Sequence, residues 1–238
     1  MNKKYGYCLL IVSLILIIFG IIMIYSSSSI WASYKFNDSF KYVKHQLLFF
    51  FIGIILVFFI SKINYELYFK YSSKIFLVCF VLLLLVLIPG IGSIRNGSRS
   101  WFGIGPFGIQ PSEFAKISLI ILTSKYLYNS RKNINNLKDG LIPILLILFL
   151  VFGLIMLQPD FGTGMIIVIS ILSLLFIAGA SYKFFLGLGL LGIFGIVGLI
   201  IIAPYRVNRI TSFLNPWQDP LGTGFQIIQS LYAIGPGE

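Results

Sequence analysis

Charged side chains are scarce in this sequence. Only 11% of its 238 residues are Asp, Glu, Lys or Arg, whereas a soluble globular domain carries about 25%. Acidic residues are the rarest of these, with 7 against 18 basic ones. Hydrophobic residues make up 58% of the chain, and the mean hydropathy is +0.97. The composition therefore excludes an ordinary soluble domain and indicates an integral membrane protein.

Histidine and cysteine are also rare. His45 is the only histidine, and no Cys or His lies at metal-ligand spacing from it. Cys8 and Cys79 both fall inside apolar runs, which is typical of small lipid-buried side chains rather than of a disulfide or a metal pair. We therefore expect no metal centre built from protein side chains alone.

The excess of basic residues does not indicate a nucleic-acid partner. The net charge is +11, but the lysines and arginines are distributed among short connectors between apolar runs and form no single stripe. This distribution is typical of membrane topology. We expect the membrane, and not nucleic acid, to be the partner of these residues.

Long hydrophobic runs dominate the chain, and spanning a bilayer takes roughly 20 apolar helical residues. Seven stretches qualify, so the sequence predicts an all-α, polytopic membrane protein that forms one membrane domain over residues 1–238. A large outer loop, residues 204–238, follows the seventh helix. The predicted spans are residues 7–25, 46–60, 75–91, 113–128, 141–157, 163–179 and 184–203.

The predicted orientation places the N-terminus on the cytoplasmic side of the membrane. The first run is long and continues into "YSSSSIW" without a small-residue cleavage site, so we interpret it as a retained helix and not as a signal peptide. Ten basic residues then fall on the inner side and seven on the outer side, in line with the positive-inside rule. The inner connectors are short and contain no phosphate loop, which favours chemistry outside the cytoplasm without ATP.

The first outer motif is "NGSRSWFGIGPFGIQPSEFAK". Its glycines and prolines predict a structured loop, and Pro111 suits the first position of the fourth helix. Glu113 and Lys116 are three residues apart and share a helix face. Ionisable residues at the edge of a spanning helix are candidates for a functional site, and a simple Glu–Lys ion pair is the structural alternative.

Two further outer motifs contain an acid. In "QPDFGTG", Asp160 stands at the outer start of the sixth helix, where N-terminal capping is a sufficient structural explanation. In "NPWQDPLGTGFQ", Asp219 precedes a proline, which is also typical of a turn. Arg206 and Arg209, in "PYRVNRI", have the chemistry to bind a diphosphate, although interfacial anchoring explains them too.

Together, "NGSRSWFG…QPSEFAK", "QPDFGTG…LLFIAGAS" and "YRVNRITSFLNPWQDPLGTGFQIIQSLYAIG" resemble the RodA/FtsW/SpoVE group of elongation, division and sporulation proteins, the SEDS family. The resemblance runs over most of the chain. It implies a peptidoglycan glycosyltransferase that polymerises lipid II on the outer face of the cytoplasmic membrane. It also implies a class B penicillin-binding protein as partner.

The resemblance assigns roles to particular residues. Asp219 matches the essential aspartate of the family and is the expected catalytic residue, while Trp101 matches the tryptophan of the outer loop. The other residues that we assign to substrate binding are Arg99, Glu113, Lys116, Asp160, Arg206 and Arg209.

The implied reaction is an inverting displacement of a lipid diphosphate by a sugar hydroxyl. It needs a base for the hydroxyl proton and positive charge for the departing diphosphate. We expect Asp219 to serve as the base or to position it. The compensating charge comes from Arg206, Arg209, Lys116 or a divalent cation, Mg²⁺ or Mn²⁺, held partly by substrate phosphates.

One feature departs from the family pattern, because members usually have about ten helices and this chain ends at "AIGPGE". We therefore expect a C-terminally truncated member whose activity in isolation is doubtful. Two other functions stay open. A lipid II flippase would also use ionisable residues and Pro/Gly breaks within the membrane, and a non-catalytic scaffold for a penicillin-binding protein would retain partner binding without Asp219.

Overall fold

A computed structural model of the chain describes residues 3–95, 98–103, 108–131, 134–202, 215–220, 222 and 224–235. The chain divides into two compact units, Met1–Ser72 and Ser73–Glu238.

The first unit contains a long helical hairpin. Its helices are α1 (Lys3–Phe36) and α2 (Lys41–Ile60), and α3 (Tyr65–Leu87) begins in this unit and continues into the second. At 1.5 Å per residue, the 34 residues of α1 extend over about 51 Å, which exceeds a hydrocarbon core of about 30 Å. The serine-rich end of α1 therefore reaches beyond the apolar layer.

The turn between α1 and α2 is held by aromatic and ionic contacts. The rings of Tyr25 and Phe40 stack with their centroids 4.8 Å apart. Lys44 Nζ donates to Asp38 Oδ2 at 2.8 Å, and this contact, together with the Phe40 backbone N–H, lowers the pKa of Asp38. Because the Lys44 side chain is 66% exposed and the Asp38 side chain 32%, we expect this ion pair to add little to stability.

The second unit contains the remaining helices. After α3 come α4 (Pro111–Asn129), α5 (Ile142–Leu157), α6 (Phe161–Ile177) and α7 (Tyr182–Ile202). A π-helical turn, Leu137–Leu141, leads into α5, and a 3₁₀ turn, Pro216–Gln218, precedes α8 (Phe225–Ile234). Pro111 occupies the first turn of α4, as predicted, because a helix start does not need the missing N–H.

The core of the second unit lies between α4, α5 and α6. The buried residues of this core recur at helical spacing, so one face of each helix is buried. The opposite face is apolar and exposed, as expected in lipid. Phe149 of α5, for example, is 64% exposed. The buried side chains of α5 and α6 are Ile144, Leu148, Val151, Ile155, Ile167, Ile171 and Leu175.

All seven predicted spans correspond to α1–α7, with end points that differ by a few residues or, in α1 and α3, by about ten. Within the described part of the chain, four helices are long and apolar enough to cross a membrane. These four are Lys4–Phe36, Lys41–Ile60, Tyr65–Leu87 and Leu137–Leu157. The chain is thus a multi-pass membrane protein of the predicted all-α class.

A short antiparallel hairpin, which the sequence did not indicate, interrupts the helices between α3 and α4. Its strands are β1 (Ser93–Arg95) and β2 (Ser98–Trp101). Two backbone hydrogen bonds of 2.8 Å between Phe102 and Ile109 extend the pairing. Gly92 lets the hairpin approach the end of α3, because a Cβ atom there would lie 1.9 Å from the Val86 carbonyl oxygen.

Candidate functional site

Gln158 fastens the hairpin to the junction between α5 and α6. Its side chain is fully buried, and its backbone carbonyl accepts a hydrogen bond from Ser98 Oγ of β2. Its amide nitrogen lies 3.5 Å from the Leu83 carbonyl oxygen of α3. Three segments that are distant in sequence therefore meet around one buried glutamine. The sequence did not single out Gln158, because helix capping and helical periodicity report only on residues a few positions apart.

Trp101, a predicted substrate-binding residue, pairs with an arginine. The Arg95 guanidinium carbon lies 5.0 Å from the centre of the Trp101 ring, within the range of a cation–π contact. The Gly108 backbone packs on the same guanidinium, since a Cβ atom there would come within 2.6 Å of Arg95. Arg95, which the sequence did not single out, thus contacts Trp101, while the assignment of Arg99 to substrate binding stays a prediction.

Arg99 lies on β2 opposite Ile94 and is half-buried. Its side chain runs past Gly92, where an added Cβ atom would be 3.0 Å from Arg99 Cγ. The two arginines therefore come from the two strands of one hairpin. This hairpin offers a stacked aromatic ring and positive charge on the loop that leads into α4.

Asp160 stands at the N-terminus of α6, as predicted, and makes two separate hydrogen bonds. Its Oδ1 accepts from the Thr163 backbone N–H at 3.2 Å, which caps the helix. Its Oδ2 accepts from Gln110 Nε2 at 2.7 Å. Since Gln110 immediately precedes α4, the N-termini of α4 and α6 lie side by side at one end of the second unit.

Glu113 and Lys116 form the ion pair that their spacing predicts. Lys116 Nζ lies 2.7 Å from Glu113 Oε2 in the first turns of α4. The Lys116 side chain is 20% exposed and the Glu113 side chain 51%. The pair therefore places a largely enclosed ammonium group close to the helix end that also holds Gln110.

Asp219 lies in a tight turn that orients its carboxylate. The turn follows the 3₁₀ segment Pro216–Gln218, and the Gly222 N–H donates to Asp219 Oδ1 at 3.1 Å. The Gly222 and Gly224 N–H groups also donate to the Asp219 carbonyl, at 3.3 and 3.1 Å. Asp219 is exposed, and these hydrogen bonds fix its backbone and orient its carboxylate.

The tryptophan next to this turn packs on α8. The rings of Trp217 and Tyr232 meet edge to face, with centroids 5.8 Å apart. Pro216 is buried and its carbonyl lies against Gly224, where a Cβ atom would be 2.1 Å away. The described residues of "NPWQDPLGTG" therefore form a packed turn.

The predicted site residues fall into two described groups. The hairpin arginines, Trp101, Asp160 and the Glu113–Lys116 pair come from segments that converge at one end of the second unit, and Asp219 lies in its own turn. Arg206 and Arg209 lie outside the described residues. The approach of Asp219 to the first group stays a prediction.

The side chains of the two groups suit a reaction at a sugar linked to a phosphate. A carboxylate on a fixed turn accepts a hydroxyl proton, and lysine or arginine groups compensate a phosphate leaving group. An aromatic ring backed by a guanidinium offers a flat surface for a sugar ring. Among the described residues, no group of three or more His, Cys, Asp or Glu side chains is arranged to hold a metal ion.

Known proteins similar to this chain share one family. A sequence model of the FtsW/RodA/SpoVE family, described as a cell cycle protein, matches residues 7–238. Stage V sporulation protein E of Bacillus subtilis (strain 168) is 53% identical over 229 residues, which cover 96% of this chain and 63% of the relative. The probable peptidoglycan glycosyltransferase FtsW of Geobacter sp. (strain M18) is 38% identical and covers 99% of this chain. The chain spans less than two thirds of both relatives.

Solved structures show the same likeness. A chain of a peptidoglycan synthase complex that coordinates polymerization and crosslinking aligns with a TM-score of 0.72 and 29% identity, over 93% of this chain and 65% of that chain. The rod shape determining protein RodA of Thermus thermophilus aligns with a TM-score of 0.58 and 26% identity, over 77% of this chain and 58% of that chain.

Proposed function

Since this chain belongs to the FtsW/RodA/SpoVE family, we propose that the protein carrying it is a peptidoglycan glycosyltransferase that polymerises lipid II into glycan strands. The observation that carries the proposal is the oriented, exposed carboxylate of Asp219, which lies in a stretch that resembles the family's aspartate motif. The relative from Geobacter is named for the same activity.

The reaction joins a sugar 4-hydroxyl to the anomeric carbon of a donor whose diphosphate departs. Asp219 accepts the hydroxyl proton, or orients the hydroxyl, as the new carbon–oxygen bond forms and the bond to the diphosphate breaks. Lys116, Arg206 and Arg209 compensate the negative charge of the diphosphate. Trp101, held by Arg95 at 5.0 Å, presents its ring to a sugar.

The described residues do not form a protein cage for a divalent cation. Both Asp160 oxygens already accept hydrogen bonds, and Asp219 Oδ1 accepts from Gly222. In our proposal, Mg²⁺ or Mn²⁺ would be held mainly by the substrate phosphates, with the exposed Asp219 carboxylate as a protein ligand. No step above depends on this ion.

We also propose that the site faces the outside of the cytoplasmic membrane, with the N-terminus in the cytoplasm. The excess of basic residues in the connectors on the N-terminal side supports this orientation. The alignment with a chain of a peptidoglycan synthase complex supports a class B penicillin-binding protein as partner. The higher identity to stage V sporulation protein E, 53% against 38%, favours sporulation as the setting.

The test uses purified full-length protein with labelled lipid II in detergent, where no membrane has to be crossed. We expect glycan strands from the wild type and at least about a 100-fold lower rate from Asp219→Ala, the usual loss on removing a general base. Asp38→Ala is the matched control, because Asp38 is another loop aspartate, paired only at the α1–α2 turn. It should keep the wild-type rate.

The alternatives give different results in the same experiments. Strand formation that survives Asp219→Ala contradicts the role of Asp219. No strands under any condition, together with lipid II transfer across proteoliposomes, favours a flippase. Full complementation of a deletion strain by Asp219→Ala, with partner binding retained, favours a scaffold.

A further inference from the structure

Gln110 occupies the N-cap position of α4, where a side chain normally caps its own helix. It is the residue immediately before α4, where Ser, Thr, Asp and Asn are preferred because their side chains cap the helix. The Gln110 side chain makes no such cap. Instead, its Nε2 donates to Asp160 Oδ2 at 2.7 Å, 50 residues away in sequence.

The backbone around Gln110 favours this use of the side chain. The residue before a proline is kept out of the helical region, and Gln110 is extended, with φ −100° and ψ 108°. Pro111 is buried and starts the helix. The Gln-Pro pair therefore fixes the base of the glutamine side chain while leaving its amide directed at the neighbouring helix.

Asp160 needs only one oxygen to cap α6. Oδ1 accepts from the Thr163 N–H and caps the helix. The hydrogen bond from Gln110 to Oδ2 is therefore not needed for capping. Two hydrogen bonds from different helices fix the plane of the carboxylate. Because a carboxylate has about four acceptor positions, the two others remain in a defined direction.

We propose that Gln110 is a positioning residue that holds the Asp160 carboxylate for contact with the hydroxyl groups of the lipid-linked sugar. The inference rests on the proposed function, since it assigns Asp160 to substrate binding. It adds a residue that acts through Asp160. It also links the "QPSE" and "QPDF" motifs, which the sequence had indicated only as two separate helix starts.

Four variants of the full-length protein test the proposal: Gln110→Met, Gln110→Glu, Asp160→Asn and the double variant that combines Gln110→Glu with Asp160→Asn. Gln110→Met keeps length and removes the donor. The double variant exchanges the two groups, so the hydrogen bond can form with reversed roles. Gln46→Met, at an exposed glutamine of α2, is the matched control.

We expect Gln110→Met to weaken binding of labelled lipid II in detergent about tenfold and to slow strand formation by roughly 10- to 100-fold. Gln46→Met should match the wild type. The double variant should recover the melting temperature lost in the single variants, because the pair is restored. It should not recover lipid II binding, because the carboxylate has moved to the other helix.

The outcomes separate this proposal from the proposed function. If Gln110→Met binds lipid II and forms strands like the wild type, the positioning role is wrong. If the double variant recovers binding as well as stability, Gln110 only joins two helices, which also overturns it. If the wild type binds lipid II but forms no strands, the proposed function fails, and weaker binding by Gln110→Met still supports positioning.

Discussion

Gly222 controls where the carboxylate of the proposed catalytic residue can lie. A Cβ atom added at Gly222 would be 2.2 Å from Asp219 Oδ2 and 2.7 Å from its Oδ1 and Cγ. Contacts below 3.0 Å essentially do not occur for real Cβ atoms. Gly222→Ala must therefore move Asp219 Oδ2 by at least about 0.8 Å, which is the difference between the 3.0 Å limit and the 2.2 Å contact.

The same change should leave the fold intact. The displaced atoms belong to the end of an exposed side chain, which can rotate away. Catalysis is far more sensitive, because a misplacement of about 1 Å costs roughly 100-fold in rate. We thus expect about 100-fold slower strand formation with an unchanged melting temperature.

The assay is strand elongation from labelled lipid II, with the melting temperature measured on the same preparations. Gly187→Ala is the matched control, because a Cβ atom at Gly187 meets nothing within 4 Å. It should retain the wild-type rate. If Gly222→Ala polymerises within threefold of the wild type, the position of the Asp219 carboxylate does not limit the reaction, and its assignment as the base is wrong.

Two further predictions concern the hairpin between α3 and α4. Gly92→Ala places a Cβ atom 1.9 Å from the Val86 carbonyl oxygen, a backbone atom that cannot rotate away, so we expect a loss of roughly 1–3 kcal/mol. An unchanged melting temperature would contradict this close approach. Arg95→Lys keeps the charge but removes the guanidinium that lies 5.0 Å from the centre of the Trp101 ring. The Trp101 signal in fluorine NMR of protein labelled with 5-fluorotryptophan should then sharpen and shift, whereas Arg131→Lys should leave it in place.

The helices were predictable because lipid imposes a simple rule. A chain in hydrocarbon must satisfy its backbone internally, so each apolar run of sufficient length forms a helix. The helix-end features were predictable for the same kind of local reason. Pro111 begins α4, Asp160 caps α6 and Glu113 pairs with Lys116 at 2.7 Å, and each of these depends only on residues within one turn.

The hairpin strands were not predicted because β1 and β2 have three and four residues and lack an alternating apolar pattern. Arg95 was missed for a related reason. Its approach to Trp101 depends on the strand register, in which Ser93 lies opposite Trp101.

The sequence by itself determined the membrane class, the seven helical segments and the acids that stand at their ends. Only the tertiary structure decided which of these ends meet. The Gln110–Asp160 bond joins residues 50 apart and the Ser98–Gln158 bond joins residues 60 apart. Such pairs depend on how α4, α5 and α6 pack, and packing follows from the shapes of many side chains together. Capping and periodicity act within a few residues, and they cannot report a contact of that range.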